Sequence, residues 1–250
     1  NLLSKDSHLV DVLVWCKNSI KWVDKAAYNA AVDLLIKSQK DNKADQKGNF
    51  RALQNYGMYG PYNSTRNILS EQQLKSMDPQ KLLNVLKNLK NYKQTVLYYG
   101  PSSIKDIDNL LAKTFKTAKK FAPLPKEKRY TLQTTPQNEV IIAPYNAKNI
   151  YMVQFHNENK EWNPNDAAKI SLFNEYFGGG MNAIVFQEMR EARALAYTAS
   201  ASYHMPNRLG DKDYFNTFII TQNDKMMDCI AQFNELLNNM PVRLANFDLA

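Results

Sequence analysis

Residues 172–203 read LFNEYFGGGMNAIVFQEMREARALAYTASASY, and this stretch decides the fold. Three consecutive glycines separate two segments in which apolar residues recur at helical spacing. From Tyr197 the spacing changes to the period of two that is typical of a strand. The stretch therefore predicts a helix from about residue 166 to 177, a glycine turn, a helix over 181–190 and a strand. The second helix is expected to bury Met181, Ile184, Val185 and Met189.

The sequence on either side of this stretch predicts further strands and one more helix. Two strands, Glu139–Tyr145 and Asn149–His156, are expected before the helices, and both faces of the latter are partly apolar, as in a central strand. Residues 213–222, DYFNTFIITQ, return as an antiparallel partner, and Asp224 caps a long helix. This order predicts an α+β fold, with helices packed on one face of a mostly antiparallel sheet. The apolar stripe of the last helix comprises Met227, Ile230, Phe233, Leu237 and Met240.

The N-terminal half is expected to be mainly helical. Ser70 and Gln73 form a capping-box pattern, and Asp78-Pro79 is a second helix start. KQTVLYYG, residues 93–100, predicts a strand. Apolar helix stripes are expected at Leu9, Leu13, Cys16 and Ile20, and at Leu82, Val85, Leu86 and Leu89.

A segment rich in proline and basic residues divides the chain. Residues 118–138 carry no apolar period and predict an extended linker between two structural units, 1–117 and 139–250. The chain begins at Asn1 and stops inside what its pattern predicts to be a new helix. We therefore expect it to be a segment of a longer protein.

Composition and charge narrow the class of protein to which the chain can belong. The 250 residues are 44% hydrophobic and 22% charged, as in a soluble globular protein, and no apolar run reaches membrane-spanning length. The net charge of +8 is spread along the chain, which leaves binding to nucleic acid as a minor alternative. Cys16 and Cys229 lie in apolar contexts that predict buried thiols.

The glycine run does not indicate a nucleotide site. A dinucleotide fingerprint requires a strand before it, whereas a helix is predicted before Gly178, and no P-loop lysine follows. Gly178, Gly179 and Gly180 are therefore interpreted as a structural turn between two helices.

The sequence predicts neither a metal site nor a catalytic residue in this chain. His8, His156 and His204 are far apart, and neither HExxH nor HxxEH is present. There is no GxSxG nucleophile motif either.

Arg190 and Tyr197 are the candidate binding residues. Arg190 closes the second helix of the stretch and Tyr197 opens the strand, so both lie at element ends where side chains can reach a ligand. Arginine can donate to carbonyl or carboxylate oxygens, and a tyrosine hydroxyl can donate to a developing oxyanion. The spacing alone leaves an alternative open, in which Arg190 pairs with a nearby glutamate and Tyr197 packs in the core.

The stretch 172–203 resembles the C-terminal half of pitrilysin-type (insulinase-like) zinc metallopeptidases, the inverzincins. Residues 52–88, ALQNYGMYGPYNSTRNILSEQQLKSMDPQKLLNVLKN, and 95–101, TVLYYGP, resemble the closing helices and last strand of the preceding domain in that family. The resemblance implies domains like those of pitrilysin and mitochondrial processing peptidase. Residues 1–117 would then close one such domain, and 139–250 would open the next.

The resemblance also implies a function. An arginine and a tyrosine seven residues apart, as Arg190 and Tyr197 are, hold substrate near a zinc ion carried by the family's N-terminal half. HxxEH is absent here, so the zinc-bearing half is expected in another segment or subunit. This chain alone is expected to be inactive and to bind no cofactor, with the zinc in the parent enzyme and a peptide as substrate.

An alternative is a non-catalytic scaffold or partner half of a pitrilysin-like assembly. The sequence does not fix the compartment, and periplasm and cytoplasm of a bacterial cell both stay open.

Overall fold

The computed structural model describes residues 23–114 and 118–250. The helices are α1 (Lys25–Ala44), α2 (Gln46–Tyr59), α3 (Glu71–Ser76), α4 (Pro79–Asn88), α5 (Ile104–Thr114), α6 (Ala167–Phe177), α7 (Ile184–Phe186), α8 (Met226–Asn238) and α9 (Leu244–Asp248). The strands are β1 (Asn149–His156), β2 (Thr198–His204) and β3 (Tyr214–Gln222). His8 and the predicted stripe of Leu9, Leu13, Cys16 and Ile20 lie outside the described residues.

Contacts divide the chain into two compact units. Among the described residues, the first groups 23–40 with 69–114 and 118–129, and the second groups 41–68 with 130–250. The domain bounds 1–117, 118–138 and 139–250 stay a prediction. No described helix combines the length and the apolar character that crossing a bilayer requires.

The helix starts of the first unit are set by side-chain caps. The Ser70 hydroxyl accepts from the Gln73 amide at 3.2 Å, and the Gln73 side chain accepts from the Ser70 amide at 2.9 Å. Asp78 accepts from the Gln80 amide at 2.9 Å and is followed by Pro79 at the first helical position. The predicted capping box and the predicted Asp78-Pro79 start are therefore confirmed.

Two predictions for the first unit are wrong. Residues 93–99 form no strand, and Leu97 is 92% exposed. A strand needs a hydrogen-bonding neighbour, and no described segment pairs with this one. In α4 the buried residue is Leu83, whereas the predicted stripe is exposed at Leu82, Val85, Leu86 and Leu89.

The second unit is built on an antiparallel sheet in the order β1-β3-β2. Ile219 of β3 stands opposite Met152 of β1 and Ala199 of β2. These residues share the face that packs on α6, α7 and α8, and that core includes Phe177, Ile184, Val185, Met189 and Phe233. The predicted α+β fold with an antiparallel sheet is confirmed.

The opposite face of the sheet is covered in part by α2. The ring of Phe50 lies 5.6 Å from Tyr151 and 6.0 Å from Phe218, measured between centroids. The Tyr145 hydroxyl donates to the carbonyl oxygen of Ala44, just before α2, at 2.6 Å.

Four element predictions for the second unit need correction. Residues 139–145 form no strand, because no described segment pairs with them. The central strand is β3, and β1 lies at an edge. Met181 precedes α7 and is exposed. Asp224 belongs to a 3-10 turn and does not cap α8, whose buried face is Met226, Cys229, Phe233 and Leu236.

Candidate functional site

The glycine turn places the end of α6 against the backbone of β2. A Cβ atom at Gly178 would lie 2.2 Å from the Ala201 carbonyl oxygen, and one at Gly179 would lie 2.8 Å from the Asn174 carbonyl oxygen. The Asn174 amide nitrogen donates to the Tyr203 carbonyl at 2.9 Å, and its oxygen accepts from the Tyr203 N–H at 2.7 Å. Only a residue without a Cβ fits at Gly178, whereas a Cβ at the third glycine would meet nothing within 4 Å.

The segment after the turn carries Arg190. Helix α7 continues as a π-helical turn over Gln187–Glu191, which is anchored by the fully buried Met189. The chain leaves this turn through Ala194, whose φ of 48° lies in the left-handed region. The Ala194 N–H donates to the Arg190 carbonyl at 3.1 Å, and the Leu195 N–H donates to the Met189 carbonyl at 2.9 Å. The chain thus reverses within a few residues, between Arg190 and the start of β2.

Side chains from β3, from α8 and from the 3-10 turn between them fix this reversal. The Thr221 hydroxyl donates to the Leu195 carbonyl at 2.5 Å, and the buried Cys229 thiol donates to the same oxygen at 3.3 Å. The Lys225 ammonium donates to the Ala194 carbonyl at 3.0 Å. The predicted buried thiol at Cys229 is confirmed, and burial raises its pKa.

Arg190 and Tyr197 meet at this reversal. The guanidinium carbon of Arg190 lies 5.0 Å from the Phe186 ring centroid and 5.8 Å from the Tyr197 ring centroid. Both distances suit cation–π attraction. Glu191 approaches the Arg190 Nε at 3.7 Å, so the glutamate partner of the alternative interpretation is present. The other half of that interpretation is wrong, since Tyr197 is 74% exposed and does not pack in the core.

The two side chains line an open cavity of about 410 Å³. The described residues of its wall offer hydrogen-bond donors of several kinds and no carboxylate. In the described part of the chain, no hydrogen bond engages the Tyr197 hydroxyl. The lining residues are Asn149, Arg190, Ala194, Leu195, Ala196, Tyr197, Thr221, Gln222 and Lys225.

Sequence reasoning missed two residues of this site, Phe186 and Lys225. Phe186 precedes Arg190 by four positions, so helical spacing could have paired them. Lys225 carries no comparable signal, because only the antiparallel return of β3 brings it beside Ala194.

The buried carboxylate of Glu188 stabilises the same turn through ion pairs. Glu188 is buried and forms ion pairs with Arg193 and Arg243. Burial by itself raises the pKa of the Glu188 carboxyl group, but the two guanidinium groups outweigh it, and the net shift is downward. Glu188 therefore ties residue 243, beyond α8, to the turn that carries Arg190.

The residues present do not fit a metal ion. Within 23–114 and 118–250, no three His, Cys, Asp or Glu side chains come together as a ligand group. His156 lies beside Thr135 and Glu158 on the surface, and His204 lies 2.8 Å from the Asn216 side-chain oxygen.

Comparison with known proteins gives the family. Residues 77–241 match the model described as the peptidase M16 inactive domain. The chain belongs to this family. The resemblance to the C-terminal half of pitrilysin-type peptidases is thereby confirmed. The search of curated protein sequences returned no match.

Solved structures share the fold of this M16 inactive domain. A protease from Helicobacter pylori is 11% identical with a TM-score of 0.67, over 98% of this chain and 61% of its own. The M16 inactive domain from Pseudomonas fluorescens is 16% identical with a TM-score of 0.56, over 88% and 53%. The periplasmic protease PqqL from Escherichia coli is 14% identical with a TM-score of 0.61, over 86% and 23%. The chain thus spans less than two thirds of each of these proteins.

Proposed function

We propose that this chain is the substrate-binding, chamber-wall part of a zinc-dependent metalloendopeptidase that cleaves peptides. The observation that carries the proposal is the pairing of Arg190 with an exposed Tyr197 over one open cavity, on a connection fixed from two sides. A zinc-bearing half with HxxEH, in the same polypeptide or a separate subunit, would supply the metal and the general base.

The two side chains would play different parts. The guanidinium of Arg190 can donate to peptide oxygens before and during the reaction, because its charge is permanent and its position is held by two rings. The hydroxyl of Tyr197 can donate to the scissile carbonyl oxygen as negative charge builds there. Arg190 would therefore hold the substrate, while Tyr197 would act mainly in the transition state.

The experiment begins with the native assembly. The protein is affinity-purified from its cells, and the whole polypeptide and any co-purifying subunits are sequenced. We expect an HxxEH motif in the assembly, hydrolysis of a quenched peptide, and loss of hydrolysis with a chelator. An assembly without HxxEH and without hydrolysis would favour the scaffold half instead.

A matched pair of variants then tests the site. Arg190→Ala should slow hydrolysis, whereas Arg66→Ala should not, although Arg66 also lies over a tyrosine ring, that of Tyr56, at 5.8 Å. Equal rates for the wild type and Arg190→Ala would contradict a role for the cavity in binding substrate.

A further inference from the structure

Lys225 is a second cation in the cavity that Arg190 lines. The sequence separates these residues by 35 positions, and the fold brings both to the wall of the same opening. The other polar side chains of the wall are neutral: Asn149, Tyr197, Thr221 and Gln222. Both charges in the wall are therefore positive.

Contacts hold these cations in place, and the acidic partner found among these contacts, Glu191, lies outside the wall of the cavity. The Lys225 ammonium donates to the Ala194 carbonyl, which leaves two of its three N–H groups for a ligand. The Arg190 guanidinium lies near the rings of Phe186 and Tyr197. Its neighbour Glu191 stands 3.7 Å from Nε and is not part of the wall. An anion in the cavity would meet N–H donors from both side chains.

We propose that this cavity selects peptides that place a carboxylate between Arg190 and Lys225. The proposal rests on the proposed function, because it names the class of peptide that the same site takes. A carboxylate accepts several charge-assisted hydrogen bonds, which are stronger than the bonds to a neutral amide of the same shape. The carboxylate can belong to an Asp or Glu side chain or to a peptide C-terminus.

Binding of labelled peptides to the native assembly tests this, with a chelator present to prevent cleavage. One glutamate is moved stepwise along a neutral peptide, and each peptide is compared with its glutamine counterpart. A second pair carries either a free or an amidated C-terminus. We expect that at one position of the carboxylate the Kd of the peptide is about tenfold lower than that of its amide counterpart. This difference in Kd should become smaller at high salt. The pair that shows the difference identifies the source of the carboxylate.

Variants assign the preference to Lys225. In Lys225→Met the ratio of the two Kd values should fall to about one, and in Lys225→Arg it should be retained. Lys169→Met, at an exposed position on α6, should keep the ratio and serves as the control.

The outcomes separate the two proposals. Peptide binding with no preference for a carboxylate at any position, or a preference that survives in Lys225→Met, overturns the inference and leaves the proposed function standing. An assembly that binds none of the peptides overturns both.

Discussion

Gly178 and Gly180 belong to one glycine run but have different surroundings. Gly178→Ala would place a Cβ 2.2 Å from the Ala201 carbonyl oxygen and 2.5 Å from its nitrogen. Both are backbone atoms of β2, so relief requires a shift of the strand or of α6. We expect a loss of about 3 kcal/mol in the free energy of unfolding, measured by urea denaturation.

Gly180→Ala is the matched control, because its Cβ would meet nothing within 4 Å. Its unfolding free energy should stay within about 0.5 kcal/mol of the wild type. Equal losses in the two variants would show that the glycines are required for the backbone conformation of the turn and not for the contact with Ala201.

Glu188 should make the stability of the second unit sensitive to acid. Its folded-state pKa is depressed, so its stabilising effect is complete above the unfolded value of 4.5 and is lost as pH falls through the folded pKa. Glu188→Gln should cost about 2 kcal/mol at pH 7, where the carboxylate binds two guanidinium groups. The gap between wild type and variant should narrow below pH 4.5.

Urea denaturation across this pH range measures the effect, with Glu175→Gln on the exposed side of α6 as the control. A gap that stays constant down to low pH would mean that Glu188 stabilises the turn by packing and not through its charge.

At the scale of elements, the buried residues of α8 differ from the predicted stripe. Apart from Phe233, which belongs to both sets, each buried residue lies one position before a predicted one. Leu236 is buried and Leu237 is exposed, although the sequence pattern favoured Leu237. Leu236→Ala should lower the free energy of unfolding by about 2–4 kcal/mol, because it removes side-chain volume from the core. Leu237→Ala should cost less than about 1 kcal/mol. Thermal or urea unfolding of the two variants compares them directly, and the reverse order would restore the predicted stripe.

Patterns among neighbouring residues predicted where helices and strands form better than they predicted which face of a helix is buried. The capping box at Ser70, the helix after Asp78 and the alternation from Tyr197 depend on neighbouring residues, and each was found. The buried face of a helix depends on what packs against it. In α8 both candidate faces carry apolar residues, so the sequence alone could not choose between them.

The strands show the same limit. Residues 93–99 and 139–145 have the composition of strands. A strand forms only where a second strand pairs with it, and composition does not show whether such a partner exists. The alternation in β1 was interpreted as central placement, yet its second apolar face contacts Phe50 of α2. An apolar face on an edge strand can thus be explained by a helix from earlier in the chain.

At the scale of the whole molecule, the proposed role of Arg190 and Tyr197 requires a zinc-bearing half that completes the site. In that assembly, Tyr197→Phe should lower kcat by about 10²–10³ with a smaller change in KM, because the hydroxyl acts as charge develops. Arg190→Ala should change both constants, because the guanidinium would hold the substrate before and during the reaction. Steady-state hydrolysis of one quenched peptide measures both variants.

Tyr99→Phe is the control, since that side chain is fully exposed and lies in the first unit. Melting temperatures should differ little among these proteins. If Tyr197→Phe keeps its turnover and loses stability, the residue supports the fold and not the reaction.

The candidate site could be predicted only in part. The resemblance to pitrilysin-type peptidases pointed to Arg190 and Tyr197, and the structure places their side chains next to each other. Phe186 and Lys225 were not foreseen. Lys225 reaches the cavity through pairing of β2 with β3 and the start of α8, a relation between distant residues that no local pattern contains.

The outer side of β2 has a consequence for how the sheet can grow. The Asn174 side chain hydrogen-bonds to both the N–H and the C=O of Tyr203, and Gly178 lies in close contact with the Ala201 backbone. A further strand therefore cannot form backbone hydrogen bonds with these residues of β2. Side-by-side pairing of two copies of the sheet through these residues of β2 is therefore blocked.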